Sequence, residues 1–220
     1  PDWVDVSYDI GPPYQISVAA DPDAIDLVGR TSAITATIKD IAGNLVADGT
    51  VVSFMTDLGL VSPVTTTTNL GLATTTLTSE TTSGWAKVIA QSDSKSGSVD
   101  VLFRSDPPWR VLVTANPAEI PANGVSVSYI NAYITDGYDN PVTDGTVVIF
   151  ATDRGQVNGG GVYTATTTGG ICLAVLTSSP TPGLATVNVS TLNGRSGRDY
   201  VNFVEVRNYP VYMPVVMKKF

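Results

Sequence analysis

The chain has 220 residues, of which 43% are hydrophobic and 15% are charged, and its formal net charge is −8. This composition supplies apolar side chains for one large or two small cores, and the few, scattered Lys and Arg residues argue against a nucleic-acid partner. With one cysteine and no histidine, the chain forms no intrachain disulfide, and it lacks the commonest general base and a common zinc ligand.

The abundance of Thr, Val, Ser, Gly and Pro is typical of strands and turns, and no long stretch has apolar residues at helical spacing. No apolar run reaches the roughly 20 residues that a membrane-spanning helix needs, so no membrane span is predicted. The chain begins at Pro1 without a methionine or signal peptide. That beginning is expected either of a processed N-terminus or of an excised piece.

The first predicted element is an extra strand within residues 1–13, ahead of the first domain. Residues 3–10 alternate between apolar and polar side chains, the pattern of a half-buried strand. Its apolar face consists of Val4, Val6, Tyr8 and Ile10.

The next feature is an internal duplication. Residues 40–59 read DIAGNLVADGTVVSFMTDLG, and residues 136–155 read DGYDNPVTDGTVVIFATDRG. Twelve of these positions recur 96 residues later, and matches continue on both sides with small changes of offset. The chain is therefore predicted to contain two copies of one module, over residues 14–104 and 111–206.

Each copy shows short strands separated by turn residues at spacings of about 8–12 residues, as in an antiparallel β-sandwich. Ile34, Ala36 and Ile38 fall on one face of a strand, and Ile130 begins the same pattern in the second copy. The Asp-Gly pair at residues 48–49, like its counterpart at 144–145, is typical of a tight turn just before a strand.

The shared pattern Asp-x-x-x-Asn-x-Val-x-Asp-Gly-Thr-x-Val-x-Phe-x-Thr-x-x-Gly resembles the bacterial immunoglobulin-like repeat of the invasin and intimin type. Both copies carry it, over about residues 14–104 and 110–206. The resemblance implies an all-β fold of two tandem immunoglobulin-like sandwiches without disulfides, used as an extracellular spacer or adhesin rod. It carries no catalytic residues. Leu45 stands where such repeats often have the proline that the second copy has at Pro141.

The two copies are joined by a short linker at residues 105–110, which two prolines stiffen into a semi-rigid connection. Trp109 is predicted to pack at the junction of the domains, because an exposed tryptophan without a partner is uncommon. A platform for sugar binding is the alternative interpretation of Trp109.

The last element, within residues 207–220, is an apolar tail that is predicted to behave as a strand buried on both faces. Its prolines suit an edge strand better than a central one. Such a segment either folds back on its own domain or adds to a sheet edge of another molecule, the interpretation that we favour. The side chains assigned to this coupling are Val211, Tyr212, Met213, Val215, Val216 and Met217.

Residues that carry chemistry are few. The recurring aspartates lie beside Gly or Asn at equivalent positions of both copies, which favours turn capping over acid–base catalysis, so no catalytic residue, metal or cofactor is predicted. Cys172 is expected to be a small buried residue. Asn188 begins an Asn-Val-Ser acceptor sequence and is a possible glycosylation site.

Three functions are compatible with these features, none of them enzymatic. The first is a secreted structural subunit on the cell surface that assembles with copies of itself, head to tail, into a filament or layer through its terminal strands. The second is a stalk module of a larger adhesin, in contact with other surface proteins. The third is an accessory module of a secreted enzyme that binds glycans.

Overall fold

The computed structural model describes residues 10–205, and throughout this part of the chain the regular structure is β-strand. The described residues contain no helix long and apolar enough to span a membrane. They form two compact units. One comprises residues 10–107 together with 135–143, and the other comprises residues 108–134 together with 144–205. The predicted all-β class is confirmed, with two sandwiches of two sheets each.

The first sandwich has a four-stranded sheet in the order β1-β3-β7-β5 and a five-stranded sheet in the order β2-β9-β8-β4-β6. Its strands are β1 (Gln15–Asp21), β2 (Ala24–Asp26), β3 (Thr31–Lys39), β4 (Val51–Thr56), β5 (Leu60–Ser62), β6 (Thr65–Thr67), β7 (Leu72–Thr78), β8 (Gly84–Ser92) and β9 (Lys95–Arg104).

The second sandwich repeats this arrangement with sheets in the orders β10-β12-β16-β14 and β11-β18-β17-β13-β15. Its strands are β10 (Arg110–Asn116), β11 (Glu119–Pro121), β12 (Val127–Thr135), β13 (Val147–Thr152), β14 (Gln156–Val157), β15 (Val162–Thr166), β16 (Ile171–Thr177), β17 (Gly183–Thr191) and β18 (Ser196–Val204).

The cores lie between the paired sheets and are built from the alternating residues that the sequence predicts. Ile34, Ala36 and Ile38 of β3 are fully buried, and Val52 and Phe54 of β4 face the same core. Full burial of one such branched side chain contributes about 1.5–3 kcal/mol. The second core has the equivalent set: Ile130, Ala132, Ile134, Val148, Phe150, Ala185, Val187 and Val189.

The Asp-Gly pairs form turns just before core strands, as the sequence predicts. Gly49 has φ +84° and Gly145 has φ +83°, a region that glycine enters without a steric penalty. The Gly49 N–H donates to the Thr68 carbonyl at 2.9 Å, and the Gly145 N–H donates to the Thr167 carbonyl at 2.9 Å. Each glycine therefore forms part of the turn that leads into a core strand.

One feature of the sheets was not predicted. β2 pairs in parallel with β9, with Ile25 opposite Phe103, and β11 pairs in parallel with β18, with Ile120 opposite Phe203. Three-residue strands carry too little periodicity to be recognised from sequence. These short strands place one further apolar side chain in each core.

The predicted terminal strands fall mostly outside the described residues. Among the side chains assigned to them, Ile10 alone is described; it lies outside any strand and is exposed. The other residues of both predicted couplings lie outside the described part of the chain: Val4, Val6, Tyr8, Val211, Tyr212, Met213, Val215, Val216 and Met217.

Candidate functional site

The recurring aspartates hold backbone segments in place. Asp48 Oδ1 accepts a hydrogen bond from the Leu70 N–H at 2.6 Å, and Asp144 Oδ1 accepts one from the Gly169 N–H at 2.6 Å. In both copies the carboxylate thereby joins the turn before a core strand to the hairpin that precedes β7 or β16. The acid is in each case part of the scaffold.

A second pair of aspartates makes the same type of bond elsewhere in each sandwich. Asp57 Oδ1 accepts from the Lys87 N–H at 2.7 Å, and Asp153 Oδ1 accepts from the Thr186 N–H at 2.7 Å. Each carboxylate follows one strand of a sheet and contacts the backbone of the next. Hydrogen bonds between a charged acceptor and a backbone N–H are among the stronger ones in proteins.

The third acid closes the Asp-x-x-x-Asn loop. Asp40 Oδ1 accepts from the N–H groups of Ala42 and Asn44, both at 2.9 Å, and Oδ2 accepts from Gly11 at 3.1 Å and from Asn44 Nδ2 at 3.2 Å. The Gly11 N–H, followed by the Asn44 and Ala42 groups, holds the pKa of the Asp40 carboxyl below its usual value, against the opposing effect of desolvation.

The counterpart loop is built in the same way. Asp136 Oδ1 accepts from the N–H groups of Tyr138 at 2.8 Å and Asn140 at 3.0 Å, and Oδ2 accepts from Asn140 Nδ2 at 3.0 Å and from the Asp106 N–H at 3.2 Å. Turn capping, the role expected from the sequence, is therefore what these acids do.

The recurring aspartates accept hydrogen bonds from the protein itself. In residues 10–205, no group of three or more His, Cys, Asp and Glu side chains is placed to hold a metal ion. A shallow depression at the end of β18 is lined by Glu119, Asn202 and Phe203 among others, and Glu119 there accepts from Asn202 Nδ2 at 3.3 Å. Its lining offers no nucleophile beside a general base.

Cys172 is a core residue, as expected. It lies on β16 with 4% of its surface exposed, and burial raises the pKa of its thiol to about 11. It occupies the position of Ala73 in the first copy, opposite Ala132 of β12. A thiol in this state is a poor nucleophile, because the reactive form is the thiolate.

Trp109 and Tyr14 occupy equivalent positions just before β10 and β1, and a cationic side chain lies over each ring. The Arg195 guanidinium lies 3.8 Å from the centroid of the Trp109 ring, and the Lys95 ammonium lies 4.9 Å from that of Tyr14. The indole remains 59% exposed. One face of the Trp109 ring is therefore occupied by Arg195, which leaves less of it for stacking on a sugar; packing of Trp109 at the domain junction stays a prediction.

Asn188 lies on β17 with its side chain exposed, in the orientation that the alternation of β17 predicts. Its amide is therefore positioned where a glycan would point to solvent. Glycosylation of Asn188 stays a prediction.

One surface was not predicted from the sequence, the outer face of the β10-β12-β16-β14 sheet. Tyr129 and Leu173 project from neighbouring strands there and are 61% and 63% exposed. The face is completed by three further apolar or aromatic residues of β12 and β16: Tyr133, Ile171 and Val175. Such faces commonly mark contacts with other proteins.

The equivalent face of the first copy is rich in threonine. Thr35 lies opposite Thr74, and Ala33 lies opposite Thr76, where the second copy has Asn131, Leu173, Tyr129 and Val175. The two copies therefore share a core design and differ in the surface that they present. The sequence contained a signal for this surface, namely the apolar and aromatic residues at the outward-facing positions of β12 and β16.

A family model described as Invasin, domain 3, matches residues 13–104 and again residues 110–206. The chain belongs to the invasin domain 3 family. The resemblance seen in the repeated motif is thus confirmed in both copies. A comparison with curated proteins finds no match.

Among solved structures, the invasin-type chain is similar to InvD of Yersinia pseudotuberculosis, with 21% identity and a TM-score of 0.66, over 87% of this chain and 58% of that one. Invasin, a bacterial integrin-binding protein, matches at 26% identity and a TM-score of 0.48, over 88% of this chain and 40% of that one. The D0–D1 region of intimin matches at 23% identity and a TM-score of 0.38, over 88% and 99%. The likeness to InvD shows the fold alone.

Proposed function

We propose that this pair of invasin-type modules is a stalk segment of a bacterial cell-surface adhesin, and that it acts as a non-catalytic spacer. The observation that carries this proposal is the family match in both copies. The structure supports it because recurring aspartates of both copies accept backbone hydrogen bonds, so the repeated motif maintains the sandwich.

The modules span only 58% of InvD and 40% of invasin, so the binding activity of such whole proteins does not transfer to them. A spacer role predicts that the segment extends the adhesin away from the cell surface and does not itself bind a receptor. The cell surface is the location that this role requires.

The test compares adhesion by bacteria that display the parent protein intact, without the two modules, or with two unrelated immunoglobulin-like modules in their place. We expect deletion to reduce attachment and the unrelated modules to restore it. Purified chain is added in a parallel assay. If the purified chain blocked attachment, or if the unrelated modules failed to restore it, the segment would be a binding element and the spacer proposal would be wrong.

Self-assembly through the chain ends is the second candidate, and it is supported by the apolar sequence of residues 211–217. Deletion of residues 208–220 tests it directly. Electron microscopy of both forms would show filaments that require the segment if the candidate is right. Single particles with and without it, or filaments that persist after the deletion, would count against it.

A further inference from the structure

The asparagine of the Asp-x-x-x-Asn loop has two different environments in the first unit. Residues 135–143 belong to this unit, and Asn140 within them is buried, with 9% of its surface exposed. Asn44, the same residue of the first copy, is exposed. The loops are otherwise alike, so the difference lies in what covers the asparagine.

The cover over Asn140 is the turn between β7 and β8. Asn140 Nδ2 donates to the Thr81 carbonyl at 2.7 Å, and Asn140 Oδ1 accepts from the Ser83 N–H at 3.1 Å. The Asn140 side-chain amide thereby hydrogen-bonds to a carbonyl and to an N–H that lie two residues apart. The side chain of Asn44 bonds to Asp40 at 3.2 Å, and no described residue places a turn of this type over it.

Both loops are held in the same conformation and receive the preceding chain in the same way. The Gly11 N–H donates to Asp40 Oδ2 at 3.1 Å, as the Asp106 N–H donates to Asp136 Oδ2 at 3.2 Å. Asn44 is thus presented on an ordered loop, which lowers the entropic cost of binding a partner.

The residues before the two copies also correspond. Residues 11–14 read GPPY, and residues 106–109 read DPPW, at the constant offset of 95. The segment 106–109 follows a module of the invasin type. The first copy therefore carries, ahead of β1, a sequence similar to the one that joins the second copy to the first, with two prolines followed by an aromatic residue in both.

We propose that Asn44 is the receiving half of a module-to-module joint, whose occupant is the β7–β8 type turn of another invasin-type module placed before residue 10. The amide of Asn44 would bind that turn through one carbonyl and one backbone N–H, as Asn140 binds Thr81 and Ser83. This inference rests on the proposed stalk function and names the contact by which the stalk continues.

The second module of another copy of this chain cannot be the occupant, because its turn differs in chemistry. The turn that corresponds to residues 81–83 is residues 180–182, with Pro182 in place of Ser83. Proline has no backbone N–H to donate. The joint is therefore directional: the first module of this chain can receive a turn, and the second module lacks the donor to offer one.

The experiment adds a further copy of residues 13–104 directly before Ile10 of the chain, so that residues 10–14 become the connection. The added copy carries Trp85→Phe, a change at an exposed position, so that its peptide over residues 80–90 differs in mass from the native one. Amide hydrogen exchange is then measured for both peptides in the parent, in Asn44→Ala and in Asn140→Ala, with each change made in the original chain.

We expect Asn44→Ala to accelerate exchange at the Ser83 amide of the added copy by about tenfold, the scale of one lost hydrogen bond, and to leave the native Ser83 amide unchanged. Asn140→Ala should have the reverse effect. In the chain without the added copy, Asn44→Ala should leave the exchange rate of its single Ser83 amide unchanged.

An unaltered rate in the added copy after Asn44→Ala would overturn the proposal, as would an unaltered native rate after Asn140→Ala. Circular dichroism of each variant establishes that the exposed Asn44→Ala change leaves the fold intact. The adhesion assay is independent of this measurement, so the joint and the spacer function can fail separately.

Discussion

Gly197 of β18 lies directly against the carbonyl oxygen of Val111 on β10, so that a Cβ atom at Gly197 would collide with it. The two strands belong to different sheets of the sandwich. Gly97 and Ile16 repeat this relationship in the first sandwich. Absence of a side chain at this position is what lets the sheets approach along one edge.

Gly197→Ala is therefore expected to destabilise the second sandwich by about 1–3 kcal/mol, because β10 must move away from β18 to make room. Calorimetric unfolding of the full chain measures the loss. Gly161→Ala is the matched control in the same unit, since a Cβ there meets nothing within 4 Å and its φ is not positive. Equal effects of the two changes would show that the close approach does not matter.

Gly59 combines a positive φ with a collision, and a second glycine separates the two effects. A Cβ at Gly59 would lie 2.5 Å from the Thr78 carbonyl oxygen and 2.8 Å from the Phe103 ring, whereas one at Gly29 would meet nothing within 4 Å. Their φ angles are +73° and +76°. Gly29→Ala is expected to cost about 1–2 kcal/mol from backbone strain alone.

Gly59→Ala should cost more than Gly29→Ala, since the Phe103 ring must shift as well. Urea unfolding of the two variants, compared with the parent, gives both values. A Gly59→Ala variant no less stable than Gly29→Ala would mean that the core relaxes around the added methyl at no cost.

Cys172 should be inert in the folded chain. With its pKa raised to about 11, only about 0.1% of the thiol is ionised at pH 8, and its side chain is buried. We expect a soluble disulfide reagent to label it slowly under native conditions and completely in denaturant. The absorbance of the coloured thiolate that the reagent releases measures both labelling rates. Fast native labelling would place the thiol at the surface.

The carboxyl of Asp40 should contribute to acid sensitivity. Its folded pKa is lowered, chiefly by the Gly11 N–H, so its contribution to stability is complete above the unfolded value of about 3.9 and is lost as the pH falls through the lower folded value. Asp40→Asn should therefore be less stable than the parent at pH 6, and the difference should shrink toward pH 2.

Thermal unfolding of both chains from pH 2 to 6 checks this expectation. Asp23→Asn, at an exposed position, serves as the control for the loss of one negative charge. A stability difference between parent and Asp40→Asn that stayed constant across this range would contradict the assignment of an ionised acceptor to the loop.

The sequence by itself determined the module, its duplication and the residues of both cores. Alternation in β3 and β4 and the Asp-Gly turns are local features, since each depends on residues within a few positions of one another. Ile34 and Phe54 therefore had to face a core once the strands formed. The same locality made the family recognisable from a stretch of 20 residues.

Only the tertiary structure decided what the repeated polar and small residues contact. Asp48 binds the backbone of residue 70, and Gly197 contacts residue 111, partners that lie 22 and 86 positions away along the chain. Asn44 and Asn140 have the same local sequence signal and differ in burial because another segment covers only one of them. Periodicity and turn chemistry act over a few residues, whereas these contacts arise when distant strands pack together.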